Sequence, residues 1–194
     1  MTGNTKIMKR TFLAISIPPT YKTKEVLTNF QQALHDSRIN WSDPDHLHLT
    51  LKFFGDTPPH RLRDIIRVAK LTADEFSPFK LFLEGCGTFG PPKEPRVIWM
   101  GAQSSDTLNG LFKELQKRLM ATGYEPDKQG FSPHITLGRI KKITNPDMLK
   151  QMLMAYQSSS FGSYDITLFS LYESILHPDG PEYNVLEEFG LAAR

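Results

Sequence analysis

The sequence predicts an α+β domain built as two similar lobes around a central cleft, and three observations carry that prediction. His48-Leu49-Thr50-Leu51 and His134-Ile135-Thr136-Leu137 repeat one pattern (histidine, apolar, threonine, apolar) 86 residues apart. Strand-like and helix-like stretches alternate irregularly, with no sustained βα rhythm of the kind that builds a barrel. Finally, 194 residues at 39% apolar content, without a linker-like tract, fit one domain made of two halves over residues 1–194.

Residues 1–9 read as a loose polar arm. Thr11 to Ile17 is rich in β-formers and stops at Pro18-Pro19, which cannot continue a sheet interior. From Tyr21 to about Asp36, Val26, Leu27, Phe30, Ala33 and Leu34 recur at helical spacing. Ile39 to Trp41 is a short edge strand, Ser42-Asp43-Pro44 turns the chain, and the first motif strand runs from about Leu47 to Gly55. Pro58-Pro59 open a helix over His60 to Phe76. Phe79 to Phe89 is a strand interrupted by glycines, and Val97 to Gly101 is another. Thr107 to Thr122 forms a helix that ends at Gly123, and the second motif strand covers His134 to Ile140. Pro146 to about Tyr156 is helical. Phe161 to Tyr172 holds one or two strands that Ser174 to Leu176 continue. Pro178 to Pro181 reads as a tight turn, and Tyr183 to Phe189 as a last strand.

On a strand, alternate side chains share a face, so His48 lies with Thr50 and His134 with Thr136, with the apolar residues behind. With 15 threonines and 6 histidines in the chain, two such matches arise by chance roughly once in several hundred sequences. Histidine titrates near neutrality, so two imidazoles facing one cleft can supply a general base and a general acid. Two threonine hydroxyls can donate to the non-bridging oxygens of a phosphate. The same parity puts Lys52 on the His48 face, either extending a phosphate field or solvated.

The net charge of +2 and pI of about 8.6 suit a phosphate-binding cleft and exclude a histone-like DNA binder. One cysteine, Cys86, excludes an internal disulfide framework. With no transmembrane-length apolar run and no apolar core near the N-terminus, a soluble, cytoplasmic monomer is expected.

HLHLTLKFFGD and FSPHITLGRI resemble the paired signatures of the two-histidine (2H) phosphoesterases. Arg10-Thr11-Phe12-Leu13-Ala14-Ile15, Trp41, Gly87-Thr88-Phe89, Pro95 to Gly101 and Leu171-Tyr172-Glu173-Ser174 resemble the RNA 2′,3′-cyclic phosphodiesterase, or 2′-5′ RNA ligase-like, branch, so the likeness covers about residues 10–190. It implies a bilobal fold of two pseudo-twofold-related lobes of antiparallel sheet with outer helices. It implies hydrolysis of an RNA 2′,3′-cyclic phosphate to a 2′-phosphomonoester without a metal or other cofactor, and 2′-5′ ligation as a further activity. Its partners would be RNA ends, tRNA halves among them, or cyclic nucleotides. By the same resemblance His48 is the proton donor, His134 the proton acceptor, and Thr50 and Thr136 bind the phosphate. Arg139 pairs with phosphate or lies near the nucleotide, while Phe12 and Tyr172 are candidates to stack a terminal base. The near-symmetric motifs do not themselves distinguish acid from base.

Two alternatives belong beside this expectation. One is an RNA- or nucleotide-binding module that turns nothing over. The other is a zinc hydrolase using His46, His48 and His134, although His46 has no counterpart at Ser132 in the second motif.

Overall fold

The computed structural model describes residues 8–127, 130–178 and 180–192. The strands are β1 (Lys9–Ser16), β2 (Arg38–Trp41), β3 (His48–Thr57), β4 (Phe79–Phe89), β5 (Val97–Ala102), β6 (His134–Lys142), β7 (Ser160–Ile166), β8 (Leu168–His177) and β9 (Gly180–Gly190). The helices are α1 (Tyr21–Ala33), α2 (Pro59–Ala73), α3 (Asp106–Ala121) and α4 (Pro146–Tyr156). Most of the arm expected over residues 1–9 lies outside the described residues, as does residue 179 of the expected turn.

Local sequence explains the helix starts. Pro18-Pro19 end the first strand, and Thr20 then caps α1: its hydroxyl accepts from the Thr23 amide while the Thr23 hydroxyl accepts from the Thr20 amide. Ser105 caps α3 by accepting from Leu108 N, and Asn145 caps α4 by accepting from Met148 N. Past α3 the chain turns through Gly123 at φ +84°, where glycine carries no steric penalty.

All described strands lie in one antiparallel sheet, in the order β7-β4-β5-β6-β3-β1-β8-β9, with β2 on β6. It consists of two four-stranded halves, β6-β5-β4-β7 and β3-β1-β8-β9, joined between β3 and β6 by a single register pair, Leu49 opposite Ile135. These halves are the two lobes. They are interlaced rather than successive: β4 follows β3 in sequence but joins the β6 lobe, and β8 follows β6 but joins the β3 lobe. The helices respect the same exchange. α1 and α4 pack together near β4 and β7, while α2 packs with α3 and β9.

Leu49, Leu51, Ile135 and Leu137, each at most 2% exposed, join one continuous core with Phe30 of α1, Ile65 of α2 and Leu111 of α3. The opposite face of the two motif strands stays half-open. Burying such a core, at about 25 cal/mol per Å² of apolar surface, supplies the main stabilising term.

A β-bulge interrupts both motif strands at the same place. Against β1, Thr50 pairs with Ala14 but Lys52 with Leu13, leaving Leu51 as the extra residue. Against β5, Thr136 pairs with Trp99 but Gly138 with Ile98, leaving Leu137 extra. A bulge inserts one residue and so reverses the face of everything beyond it. Lys52, expected on the His48 face, is therefore turned into the opposite side and is only 6% exposed, and Phe53 takes the open face. In β6 the same step brings Arg139 to the open face.

Candidate active site

The Leu49–Ile135 pair sets the arrangement of the four motif side chains. In an antiparallel register it places His48 across from Thr136 and Thr50 across from His134, with the histidines on a diagonal. Diagonal neighbours of this kind lie about 7–8 Å apart, their Cβ atoms somewhat closer, enough to flank one phosphate.

Both imidazoles are held in the same way. His48 Nδ1 lies 2.9 Å from the His46 carbonyl oxygen, and His134 Nδ1 lies 2.8 Å from that of Ser132. A carbonyl only accepts, so Nδ1–H donates in each case and Nε2 is the atom left for proton exchange. Each histidine is thus oriented by the backbone two residues before it.

Beside them lies a cavity of about 1070 Å³, lined by Thr50, Thr136, Arg139, Phe53, Arg10 and Tyr183 among others, and by His48 itself. His134 is not among its lining residues; its ring packs edge-on against Phe89 at 4.7 Å. Phe89 leans on Trp99, which lies so close over Gly87 that a Cβ there would come within 2.2 Å of the indole. The cavity thus opens toward His48, over β1, β3, β8 and β9, and is bordered by β2, the turn after it, and Thr136 and Arg139 of β6.

Burial is the chief cause holding both imidazoles below their ordinary value of 6.5. The carbonyl bonds oppose that shift. Arg139 reinforces it at both, and His48 also feels His134 and His46. A bound phosphate monoanion would reverse the sign of the field and favour protonation.

Of the two residues expected to stack a base, Phe12 lines the cavity although it is almost fully buried. Phe12 is 4% exposed and is enclosed by Tyr172 stacked at 5.2 Å, by His48 at 5.0 Å and by Tyr183 at 5.2 Å. Tyr172 is not part of the cavity lining. Phe12 packs against the His48 ring, and Tyr172 against Phe12. Tyr183, which sequence reading did not single out, stands edge-on to both His48 and His46. Burial raises its phenol, and Arg139 and Arg10 act in the opposite direction.

The three histidines of the zinc alternative do not converge. His46 Nδ1 is 2.9 Å from Asp43 Oδ2, and among the described residues no three of His, Cys, Asp and Glu come close enough to hold a metal ion. Lys52 donates to Asp127 Oδ1 at 2.7 Å and to the Glu125 carbonyl at 3.0 Å, away from the cleft. Cys86 is buried, its thiol pushed up to about 12. No helix among the described residues is long and apolar enough to cross a membrane.

Two interlaced lobes of antiparallel sheet, each presenting a histidine and a threonine from its motif strand, define a two-histidine phosphoesterase. The chain belongs to the LigT-like phosphoesterases: the family model described as LigT like Phosphoesterase matches residues 17–99 and again 101–183. It is 33% identical over 184 residues to the RNA 2′,3′-cyclic phosphodiesterase of Methanothermobacter thermautotrophicus, covering 94% of this chain and 98% of that one. The protein of the same name from Methanocaldococcus jannaschii is 33% identical over 180 residues, covering 93% and 99%. Among solved structures, TT0787 of Thermus thermophilus superposes with a TM-score of 0.76 at 30% identity, covering 94% of this chain and 97% of that one. E. coli LigT complexed with 3′-AMP superposes at 0.71 and 25% identity, covering 96% and 100%. The chain is an enzyme of the cyclic phosphodiesterase class.

Proposed function

We propose that the chain acts as one bilobal catalytic domain that hydrolyses RNA 2′,3′-cyclic phosphate ends to 2′-phosphomonoesters, using its two motif histidines as acid and base without a metal. One observation carries the proposal: both imidazoles are fixed through Nδ1 and keep Nε2 for the reaction, with Thr50 and Thr136 beside them on the same strand face. The names of the curated relatives support it.

The asymmetry of the cavity supports His48 as the acid and His134 as the base. A cyclic phosphate is attacked in line with the bond that breaks, so water and ribose lie on opposite sides of phosphorus. The cavity lies on the His48 side, so the nucleoside occupies that side and water approaches from the side of His134. Water forms the new P–O bond as His134 Nε2 takes its proton. The P–O3′ bond breaks, and O3′ receives the proton of His48 Nε2. The product carries a 2′-phosphate and a 3′-hydroxyl, with His134 protonated and His48 neutral until solvent resets them. Thr50, Thr136 and Arg139 hold the non-bridging oxygens. Ligation is the same displacement with a 5′-hydroxyl in place of water, which yields a 2′-5′ linkage.

The test is an oligonucleotide ending in 2′,3′-cyclic phosphate, incubated with protein and a chelator. A 2′-phosphate product is expected, and none from His48→Ala or His134→Ala. A 3′-phosphate product, activity restored only by zinc, or near-full rates in either variant would overturn the mechanism.

A further inference from the structure

The reaction proposed above uses one histidine from each motif and leaves a third without a task. His46 stands two residues before His48, where the second motif has Ser132, so the extra imidazole belongs to the lobe toward which the cavity opens. It ends the short turn Pro44–His46 between β2 and β3 and lines the cavity. Its ring is held rather than loose: Nδ1 lies 2.9 Å from Asp43 Oδ2, and Asp43 Oδ1 accepts from the Asp45 amide at 2.9 Å. Nε2 is left for a ligand, on a side chain that is 53% exposed. Tyr183 stands edge-on to the rings of His46 and His48, at 6.3 Å and 5.3 Å, so both imidazoles flank one phenol.

We infer that His46, held by Asp43, is a subsite for the phosphate on the 5′ side of the terminal nucleotide, which in RNA is the linking phosphodiester. This rests on the reading of the chain as a phosphodiesterase of nucleotide ends and names what grips the strand behind the reacting phosphate. Leu47 is extended, and two extended residues advance about 6.6 Å, the reach of one ribose between consecutive phosphates. The cavity, at about 1070 Å³, exceeds the roughly 300–1,000 Å³ of a site for one small ligand, so it has room beyond the terminal nucleotide. Charge decides when the subsite works. Around the ring are Asp43 on its own turn, Asp45 paired with Lys24 of α1 at 2.9 Å, Tyr183 of β9, His48 of β3 and, across the cavity, Arg139 of β6. The Asp45 amide and, after it, His46 hold the Asp43 carboxyl below its ordinary value against the opposing effect of burial, so the carboxylate is present wherever a histidine titrates. A neutral ring gives its Nδ1–H to Asp43 and turns a bare acceptor to the cavity. A protonated ring donates from both nitrogens, and Nε2–H then holds a phosphate oxygen. The grip on the strand therefore tightens as the pH falls.

Calorimetric binding of product analogues tests this apart from turnover. The probes are uridine 2′-monophosphate and the dinucleotide uridylyl-(3′-5′)-uridine 2′-monophosphate; they share the 2′-phosphate, so its titration cancels in the ratio of their affinities. Wild-type protein is expected to bind the dinucleotide about fivefold or more tighter at about pH 5.5, with a narrower gap at about pH 8. His46→Gln should narrow the gap and remove its pH dependence, whereas His46→Lys, whose charge is fixed, should show it at both pH values. Uridine 2′,5′-bisphosphate, which has the phosphate without a second nucleoside, should show the same gap at the lower pH; a gap confined to the dinucleotide would belong to the second nucleoside and overturns the phosphate subsite. No gap in the wild type, a gap unchanged by pH or by His46→Gln, or an equal loss on every probe in that variant overturns it as well. A protein that cleaves no cyclic phosphate yet shows the His46-dependent gap refutes the proposed reaction and leaves the subsite standing.

Discussion

Removing either partner of the Lys52–Asp127 pair should destabilise the chain by unequal amounts, because the two partners are unequally buried. The Lys52 side chain is 6% exposed and that of Asp127 is 42% exposed, with 2.7 Å between the charged atoms. Asp127→Ala leaves the ammonium buried with, among the described residues, the Glu125 carbonyl and the Gln116 side chain as partners. An uncompensated buried charge of this kind costs about 3 kcal/mol. Lys52→Met removes the buried charge itself, keeps an unbranched chain of similar length, and lets the half-exposed carboxylate return to water. Its cost is about 1 kcal/mol. Urea titration with circular dichroism reads both values, and in a chain of this size each kcal/mol also moves the thermal midpoint by roughly 2–4 °C. Lys52→Met should in addition leave inhibition by inorganic phosphate unchanged. A larger loss for Lys52→Met than for Asp127→Ala would refute the burial argument. Loss of phosphate inhibition in Lys52→Met would return Lys52 to the cleft.

Because both motif histidines titrate below 6.5 in the folded protein, the unfolded chain binds more protons as the pH drops under that value. Stability should fall below pH 6.5 and level off beneath the folded values, and urea midpoints of a His48→Gln/His134→Gln double variant should fall less. Thr50→Ala and Thr136→Ala should each lower kcat/KM by the worth of one hydrogen bond to a charged group, about 1.5–3 kcal/mol, in steady-state assays; loss within a factor of two would remove that hydroxyl from the phosphate site. Gly87→Ala should cost about 1–3 kcal/mol by overpacking against Trp99, and it should slow turnover by displacing Phe89 from His134. Near-UV circular dichroism together with a rate assay checks both effects.

The parity rule places His48 with Thr50 and His134 with Thr136, and the structure has each pair on one strand face. The rule holds only as far as the next residue. A bulge is set by the partner strand, and no local pattern in LTLKFF marks Leu51 as the residue left out of register. Hence Lys52 is misplaced by sequence reading and Phe53 is overlooked. Phe12 was legible as part of the site, but its enclosure depends on Tyr172 and Tyr183, which come from strands far along the chain. The orientation of the two histidines was legible in principle, since each Nδ1 reaches the carbonyl two residues upstream. It follows from strand-end geometry rather than from residue type. The exchange of β4 and β8 between lobes leaves no trace in periodicity at all, because hydrophobic alternation is blind to which neighbour a strand will find.

That exchange also bears on how the chain acquires its structure. β1 is an interior strand of its lobe, but its neighbour β8 pairs Tyr172 with Phe12, 160 positions later. Until β8 is synthesised, β1 has one open edge, and the wall formed by Tyr183 behind His48 does not exist. Closing loops of this length is slow, and an open edge in the meantime is a template for intermolecular pairing. A chain stalled or cut before β8 should therefore be not a partly active enzyme but an aggregation-prone one, because the catalytic cleft is complete only once β8 and β9 have joined the sheet.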